Sequence, residues 1–233
     1  MSTLHPRRAG LVIFDCDGVL VDSEPISCRV HAQVLSRHGY PITAEEVRQR
    51  FLGRSARDAN REVEAELGRA LPEACDRERR RELLEALARE VTAVPHIHDI
   101  LDRLTLPACV ASSGAHDKIF TTLSRTNLHA RFAPHIFSAS EVARGKPAPD
   151  LFLFAAARMD RRPEDCLVVE DSVAGVTAAV AAGMGVIGYI GGSHCRPSDA
   201  GRLSAAGAPV VIDDMRELPA LVASHFAGPS SLQ

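Results

Sequence analysis

Short apolar runs that recur along the chain are the feature that most narrows its possible folds. Each run is continuous rather than alternating, and small or polar residues follow it. Strands covered by helices on both faces show this pattern, whereas strands with one solvent face alternate apolar and polar residues. We therefore predict strands of a parallel sheet at LVIF (11–14), ACVA (108–111), HIFSA (135–139), LVV (167–169), VIGYI (186–190) and VVI (210–212).

Helix-like segments lie between the later runs. One of them, residues 116–128, is predicted as a helix with Ile119, Phe120 and Leu123 on one side. Another, residues 173–183, has valines at helical spacing and ends in a glycine, a common residue at helix C-termini. Strands that alternate with helices are typical of a doubly wound α/β domain with a parallel sheet.

The interval after the first run breaks this alternation. About ninety residues separate Asp15 from the next strand at Ala108, although a crossover between parallel strands needs only a dozen or so. The pattern of this interval is helical throughout. We therefore predict two domains. Residues 1–22 and 94–233 form the α/β core, and residues 23–93 form a smaller helical domain, the cap, inserted after the first strand.

The composition is that of an ordinary globular protein. Of the 233 residues, 45% are hydrophobic and 24% are charged, and the net charge is −3. With this charge we expect neither nucleic acid nor an anionic membrane as a partner. No apolar run approaches the roughly 20 residues of a membrane span, and the N-terminal segment lacks a small-residue cleavage site. We expect a cytoplasmic protein and take a monomer as the default.

The cysteines and histidines follow no metal-binding pattern. The six cysteines are scattered without CxxC spacing, and the ten histidines contain no HExxH motif. This argues against a zinc site and against a compact disulfide framework. Cys109 and Cys166 lie in strand-like runs and are interpreted as buried small hydrophobic residues. The GGSH segment (191–194) is interpreted as a plain connection after the fifth strand.

Asp15-Cys16-Asp17-Gly18 follows the first strand. Side chains of an extended chain alternate, so Asp15 and Asp17 point to one side and Cys16 to the other. Gly18 then allows the backbone to turn. Open α/β sheets bind ligands at the carboxyl ends of their strands, where this pair lies. A turn without a ligand is the alternative explanation for this motif.

Two further strands are also followed by polar groups. Ser112-Ser113-Gly114 comes after the second strand, and a hydroxyl with exposed backbone N–H groups can hold phosphate oxygens. Lys146 comes after the third strand, and Pro147 biases it toward an extended conformation near the strand ends. Taken singly, these groups would be an ordinary loop and a surface lysine.

An acidic pair, Glu170-Asp171, follows the fourth strand. Capping of the next helix by Asp171 or Ser172 is the simpler alternative, and it is compatible with metal binding. Carboxylates without Cys or His ligands favour a hard cation, which is Mg²⁺ in the cell. An anionic group held between Mg²⁺ and a lysine is what phosphoryl transfer requires. The strand ends together therefore predict a magnesium-dependent phosphoryl-transfer site.

Four motifs, in this order and spacing, resemble the haloacid dehalogenase superfamily of phosphohydrolases. The resemblance is to the branch whose helical cap is inserted just after the first strand, and it covers nearly the whole chain. The motifs are DCDGVLVDSEP (15–25), VASSG (110–114), GKPAPDLF (145–152) and VVEDSVAG (168–175).

The resemblance implies a role for each strand-end residue. Asp15 is expected to be the nucleophile that forms an aspartyl-phosphate, and Asp17 the general acid/base. Ser112 and Lys146 are expected to bind the transferring phosphoryl group. The ligands implied for Mg²⁺ are Asp15, the backbone carbonyl of Asp17, Asp171 and Glu170. Ser113 and Gly114 are assigned to substrate binding.

The variant DSEP (22–25) resembles the sugar-phosphate phosphatases of this branch, including those acting on hexose and gluconate phosphates. FLGRSARD (51–58) resembles the substrate-specificity loop of the cap. There Gly53 is expected to make the turn, and Arg54 and Arg57 to reach the distal part of a substrate. The expected substrate is therefore a small phosphate ester, a phosphorylated sugar or sugar acid.

Two other functions remain open at this point. β-Phosphoglucomutases resemble the chain in DGVLVDS and KPAPD, but they have a histidine five residues beyond the position of Asp22. This chain has Ser27 there and His31 one helical turn later. A receiver-like signalling module would also combine carboxylates, a hydroxyl, a lysine and Mg²⁺, but such modules lack a cap insertion.

Overall fold

The computed structural model describes residues 10–51 and 56–227. In this part of the chain, six strands form one parallel sheet. The strands are β1 (Leu11–Phe14), β2 (Ala108–Ser112), β3 (Ile136–Ser138), β4 (Cys166–Glu170), β5 (Gly185–Tyr189) and β6 (Val210–Ile212). Each predicted strand is present, with ends that differ by at most one residue from the apolar run.

Helices connect the strands. They are α1 (Glu24–Arg37), α2 (Ala44–Phe51), α3 (Ala56–Leu67), α4 (Glu73–Glu90), α5 (Ile97–Arg103), α6 (His116–Arg125), α7 (His129–Phe132), α8 (Asp150–Arg158), α9 (Val173–Ala181), α10 (Asp199–Ala205) and α11 (Leu218–Phe226). None of the helices described here has both the length and the apolar character needed to cross a membrane.

The strand order β3-β2-β1-β4-β5-β6 confirms the predicted doubly wound α/β fold. β1 lies between β2 and β4, and Ile13 pairs with Cys109 on one side and with Val168 on the other. The strand order reverses between β1 and β4, which is where open α/β sheets form a ligand crevice at their carboxyl ends. Asp15 directly follows the strand at this crevice.

Helices cover both faces of the sheet, and this explains the continuous apolar runs. Val12 and Phe14 of β1 belong to the hydrophobic cluster on one face, and Leu11 and Ile13 belong to the cluster on the other. All four side chains are fully buried. A strand packed on both faces has no position at which a polar side chain reaches solvent.

The four helices α1–α4 occupy the interval between β1 and α5. α1 packs against α2 and α4, and their apolar residues are continuous with one of the two core clusters. The helical character predicted for this interval is confirmed, whereas the domain boundaries at residues 22/23 and 93/94 stay a prediction. Gly53 and Arg54 lie outside the described residues, as does the side chain of Arg57.

One predicted helix face is wrong. Ile119 and Leu123 of α6 are buried as expected, but Phe120 is 58% exposed and packs edge-on against His129 at 5.0 Å. The buried residue beside the two apolar ones is Thr122, whose hydroxyl donates to the carbonyl of Ile119 at 3.1 Å. Because a helical threonine can satisfy its hydroxyl on the preceding turn, hydropathy alone misjudges its burial.

All six cysteines are free in the structure. Cys109 and Cys166 are fully buried, as predicted. Burial raises the pKa of the Cys166 thiol to about 12, so it is neutral at physiological pH. Both residues act as small core side chains.

Helix α8 offers a matched test of the packing that supports the crevice. Leu151 is fully buried against the sheet, whereas Leu153 is 38% exposed two residues away. We expect Leu151→Ala to lower the free energy of unfolding by about 2–5 kcal/mol, because the cavity cannot collapse fully. Leu153→Ala, the control, should cost less than about 1 kcal/mol. Urea unfolding measures both, and equal losses would contradict the burial described.

Candidate active site

The carboxyl ends of β1, β2 and β4 meet at one edge of the sheet, where the predicted site residues lie. The backbone N–H of Asp15 donates to the carbonyl of Val169 at 3.0 Å, so pairing with β4 continues one residue beyond β1. Ser112 is the last residue of β2, and Glu170 is the last residue of β4. These three site residues are therefore held by the strands that carry them.

Lys146 connects two of the carboxylates at this edge. Its side chain is 4% exposed. Its Nζ donates to Asp15 Oδ1 at 2.6 Å, to Glu170 Oε1 at 2.5 Å and to the carbonyl of Ala111 at 3.0 Å. Burial opposes its protonation, but the two carboxylates outweigh burial and raise the pKa of Lys146 above its usual value. Lys146 is thus a buried cation at the strand ends.

Asp15, Glu170 and Asp171 form a carboxylate cluster, in which one oxygen of each lies within 4.8 Å of the others. Burial raises the pKa of Asp15 well above its usual range, although Lys146 acts in the opposite direction. Burial also raises the pKa of Asp171. Ionised carboxylates that are this deeply buried need added positive charge. An all-oxygen, buried donor set fits a hard divalent cation such as Mg²⁺.

Glu170 is held through both of its oxygens. Oε1 accepts from Lys146, and Oε2 accepts from the backbone N–H of Ser172 at 3.0 Å and from its hydroxyl at 2.9 Å. The Ser172 hydroxyl in turn accepts from the N–H of Gly175 and caps α9. The cap of α9 is therefore supplied by Ser172, and Asp171 remains with the carboxylate cluster.

Asp17 lies apart from this cluster and has its own cation. Asp17 Oδ1 accepts from the ammonium of Lys118 at 2.9 Å and from the hydroxyl of Ser23. Burial raises the pKa of Asp17, but Lys118 and then Ser23 outweigh burial, and the net shift is downward. Asp17 is therefore ionised in this arrangement. The turn that follows uses Gly18 at φ +81°, and a Cβ at that position would overlap Asp171.

Lys118 is a site residue that sequence reasoning missed. It lies in the first turn of α6, the helix that follows the Ser112-Ser113-Gly114 segment. Asp17 and then Glu24 outweigh the effect of burial and raise the pKa of Lys118. It belongs to none of the four motifs. Its position after β2 is what could have indicated a place in the site, because the first turn of a helix that follows a strand lies near the carboxyl edge of the sheet.

The Ser112-Ser113-Gly114 segment forms a hydrogen-bonded loop. Ser112 is fully buried, and its Oγ accepts from the N–H of Gly114 at 3.0 Å. The Gly114 carbonyl accepts from the hydroxyl of Ser138, the last residue of β3, at 2.7 Å. Ser113 is exposed. Ser138 was not singled out in the sequence, and it fixes the loop that presents Ser112.

The GGSH segment is more than a plain connection, so that interpretation is wrong. His194 is 7% exposed, and its Nε2 lies 3.1 Å from Asp171 Oδ2 and 3.3 Å from the Sγ of Cys195. Burial opposes protonation of the ring, but Asp171 and then Cys195 raise the pKa of His194 to about 11. The N–H of Ser193 also donates to Asp22 Oδ1 at 3.2 Å. The loop therefore reaches both the carboxylate cluster and the start of the helical insertion.

Ser27 stands where β-phosphoglucomutases have a histidine. Among the described residues it has no hydrogen bond to the carboxylate cluster. The Ser27 hydroxyl donates to the carbonyl of Ser23 at 3.1 Å. The ring of His31 packs against Phe51 with centroids 5.9 Å apart, and its Nε2 has no hydrogen-bond partner among the described residues. Burial and then Arg79 lower the pKa of His31 to about 4, so the ring is neutral at pH 7.

Comparisons with known proteins agree with this geometry. A family model described as haloacid dehalogenase-like hydrolase matches residues 10–183. The 6-phosphogluconate phosphatase of Escherichia coli strain K12 is 33% identical over 191 residues, covering 82% of this chain and 86% of that protein. Hexitol phosphatase A of the same strain is 34% identical over 180 residues, covering 75% and 80%.

A solved structure adds to these relatives. The crystal structure of a haloacid dehalogenase-like protein of unknown function from Agrobacterium tumefaciens matches with a TM-score of 0.84 and 42% sequence identity. The match covers 93% of this chain and 99% of that chain.

The Lys118–Asp17 pair predicts a stability loss that depends on pH. Lys118→Met leaves the Asp17 carboxylate buried and unpaired, and at pH 7 we expect the free energy of unfolding to fall by about 3 kcal/mol. Without Lys118, burial raises the pKa of Asp17 above its usual value. The loss therefore shrinks as the pH falls through that raised pKa, because protonation removes the unpaired charge. Urea unfolding at pH 7 and pH 5 measures this change.

The double variant Lys118→Met/Asp17→Asn supplies the control. In the Asp17→Asn background only Glu24 loses the nearby positive charge, so Lys118→Met should cost clearly less than it does with Asp17 present. In the wild type the pKa of Asp17 is depressed. The stability that its carboxylate contributes is therefore lost only below about pH 3.9, outside the range used. An equal cost of Lys118→Met in both backgrounds would contradict the pairing.

Proposed function

We propose that this chain, a phosphatase that belongs to the haloacid dehalogenase-like hydrolases, releases phosphate from small phosphorylated sugars or sugar acids through an aspartyl-phosphate on Asp15. We also propose that it needs Mg²⁺. The hydrolase family and the phosphatase activity rest on the family model and the named relatives. The residue roles, the intermediate, the metal and the substrate class are proposals.

The observation that carries the proposal is the placement of Lys146. This one ammonium contacts both Asp15, at the end of β1, and Glu170, at the end of β4. A buried lysine between two carboxylates stabilises their ionised forms and supplies positive charge where a phosphate dianion would be attacked. A carboxylate at a strand end without such a cation would be protonated or exposed.

In the first step, an oxygen of Asp15 attacks phosphorus, and the bond between phosphorus and the sugar oxygen breaks. The departing oxygen takes a proton from Asp17 and leaves as an alcohol. For this, Asp17 must be protonated, although Lys118 and Ser23 keep its pKa low before substrate binds. The negative charge of the bound phosphate, close to Asp17, raises that pKa.

In the second step, water hydrolyses the aspartyl-phosphate. Asp17, now ionised, takes a proton from the water, whose oxygen bonds to phosphorus as the bond to Asp15 breaks. This regenerates the Asp15 carboxylate and releases inorganic phosphate. Lys118 favours the ionised form of Asp17 that this step requires. The hydroxyl of Ser112 and the N–H groups after it are assigned to the phosphoryl oxygens.

The carboxylate cluster is the proposed place for the cation. Asp15 and Asp171 would hold it together with the backbone carbonyl of Asp17, and Glu170 lies within the same cluster. Because both Glu170 oxygens already accept hydrogen bonds, its main role is to hold Lys146 and the start of α9. When bound, a divalent cation offsets the repulsion between a carboxylate and a phosphate dianion.

The substrate class rests on similarity to the two named phosphatases. The residues expected to select the sugar, Gly53 and Arg54, lie outside the described part of the chain, so their roles stay predictions. The same holds for Ser113 and Gly114 as substrate-binding residues. The cytoplasmic location, the monomer and the absence of a nucleic-acid partner also stay predictions.

Two substitutions test the covalent route. Asp15→Asn should lower phosphate release by at least about a thousandfold, because the amide cannot act as the nucleophile. In Asp17→Asn, Asp15 should be phosphorylated slowly and the aspartyl-phosphate should not be hydrolysed. Acid quenching of a reaction with labelled substrate should therefore leave label on the protein. Asp15→Asn/Asp17→Asn is the control and should carry no label. Label on this double variant would contradict the nucleophile assignment.

The products separate a phosphatase from a phosphomutase. With 6-phosphogluconate, a hexitol phosphate or β-glucose 1-phosphate, we expect each mole of substrate consumed to yield a mole of free phosphate. Ser27 stands at the mutase histidine position, and Ser27→His is the matched variant. Isomerised sugar phosphate without free phosphate from the wild type would overturn the phosphatase proposal. Phosphate analysis and NMR of the sugar products measure both outcomes.

A further inference from the structure

We propose that Asp171, His194 and Cys195 form a transition-metal site, for an ion such as Zn²⁺, next to the carboxylate cluster. One donor atom from each of the three residues lies within 4.8 Å of the others. His194 Nε2 is 3.1 Å from Asp171 Oδ2 and 3.3 Å from Cys195 Sγ. A tetrahedral zinc ion with bonds of about 2.0–2.3 Å separates such ligand atoms by about 3.3–3.6 Å. The histidine–carboxylate and histidine–thiol pairs therefore need to move apart by only a few tenths of an ångström.

The contacts at His194 favour an ion over a hydrogen-bonded triad. Asp171 and Cys195 both approach the same ring nitrogen, Nε2. That nitrogen carries either one proton or one lone pair, so a single linear hydrogen bond cannot serve both neighbours. In a nucleophile–histidine–carboxylate triad, the two partners lie on different ring nitrogens. A metal ion between the three atoms would bind the nitrogen, the sulfur and the oxygen at once.

The histidine ring is held in place by closely packed backbone. A Cβ at Gly192 would lie 2.8 Å from His194 Cε1, and a Cβ at Gly18 would lie 2.7 Å from the same atom. Glycine at both positions therefore makes room for the ring. His194 Nδ1 is buried and has no hydrogen-bond partner among the described residues. All described polar contacts of the ring are consequently on the Nε2 side, toward Asp171 and Cys195.

The donor set differs in chemistry from the neighbouring carboxylate cluster. Nitrogen and sulfur ligands select zinc and similar ions, whereas oxygen ligands alone select Mg²⁺. Cys195 is partly exposed, so solvent can reach the site and water can complete the coordination. The lack of CxxC and HExxH spacing is no objection, because the fold brings Asp171, at the end of β4, to the loop that follows β5.

Asp171 is shared by the two sites, and this suggests a functional consequence. Zn²⁺ bound to Asp171 Oδ2 would withdraw negative charge from the carboxylate that is proposed to hold Mg²⁺. We therefore expect Zn²⁺ to inhibit phosphate release. This consequence rests on the proposed function, whereas the existence of the site does not.

Cobalt provides a readout that needs no turnover. The full-length protein, reduced and freed of metal with a chelator, is titrated with Co²⁺ and then with Zn²⁺ in competition with a chromophoric chelator. We expect a thiolate-to-cobalt charge-transfer absorption in the near ultraviolet that saturates at one thiolate-bound ion per chain, apart from any Co²⁺ held by the carboxylate cluster. Cys195→Ser should abolish that absorption and weaken Zn²⁺ binding by at least tenfold. Cys28→Ser, which changes a buried cysteine in α1, is the matched control and should retain both.

Several outcomes would overturn the proposal. One is Co²⁺ binding without the thiolate absorption, and another is an absorption that persists in Cys195→Ser. A third concerns His194→Gln: if it weakens Mg²⁺ binding but leaves Zn²⁺ binding unchanged, His194 only positions Asp171. Circular dichroism and thermal unfolding confirm that each variant is folded. If the wild type shows the spectrum but no Mg²⁺-dependent phosphate release, the proposed function fails and the metal site stands.

Inhibition provides the second measurement. At a fixed Mg²⁺ concentration, half-maximal inhibition by Zn²⁺ should need at least tenfold more Zn²⁺ in Cys195→Ser than in Cys28→Ser. Equal Zn²⁺ sensitivity of the two variants would show that Zn²⁺ does not inhibit by binding at this site. It would overturn the proposed inhibition through Asp171.

Discussion

Several buried carboxylates share one edge of a parallel sheet, and the rest of the site depends on how their charge is balanced. Asp15 and Glu170 end adjacent strands, so register alone places them together. Desolvation disfavours charge on buried carboxylates, and a buried ammonium beside them opposes that effect. Lys146 supplies it, with its Nζ within 2.6 Å of an oxygen on each residue. The loop that follows β3 must therefore come back across the sheet edge.

The acids are divided between two lysines, and this division separates their chemistry. Lys146 forms an ion pair with Asp15, whose pKa nevertheless remains raised by burial. Lys118 serves Asp17, whose pKa is lowered. Two aspartates only one residue apart thus have pKa values shifted in opposite directions. The proposed first step needs the reverse, an ionised Asp15 and a protonated Asp17, so binding of the cation and of the phosphate must shift both pKa values.

Asp171 links this edge of the sheet to a second set of groups. One of its oxygens belongs to the all-oxygen cluster, and Oδ2 faces His194 and Cys195. The loop that carries these two residues also bonds to Asp22 at the beginning of the helical insertion. A change in the ligands of Asp171 would therefore act at the proposed Mg²⁺ site and on the loop that contacts Asp22.

The sequence by itself determined the strands, their parallel arrangement and the helical insertion, because these follow from apolar periodicity and chain length. It also placed Asp15 and Asp17 directly after the first strand, at the carboxyl edge of the sheet. Only the tertiary structure decided which cation meets which acid. Lys118 and His194 meet Asp17 and Asp171 through space, across different loops and helices, and no local pattern reports such distances. The exposed Phe120 shows the same limit, because its burial depends on what packs against the helix and not on its own hydropathy.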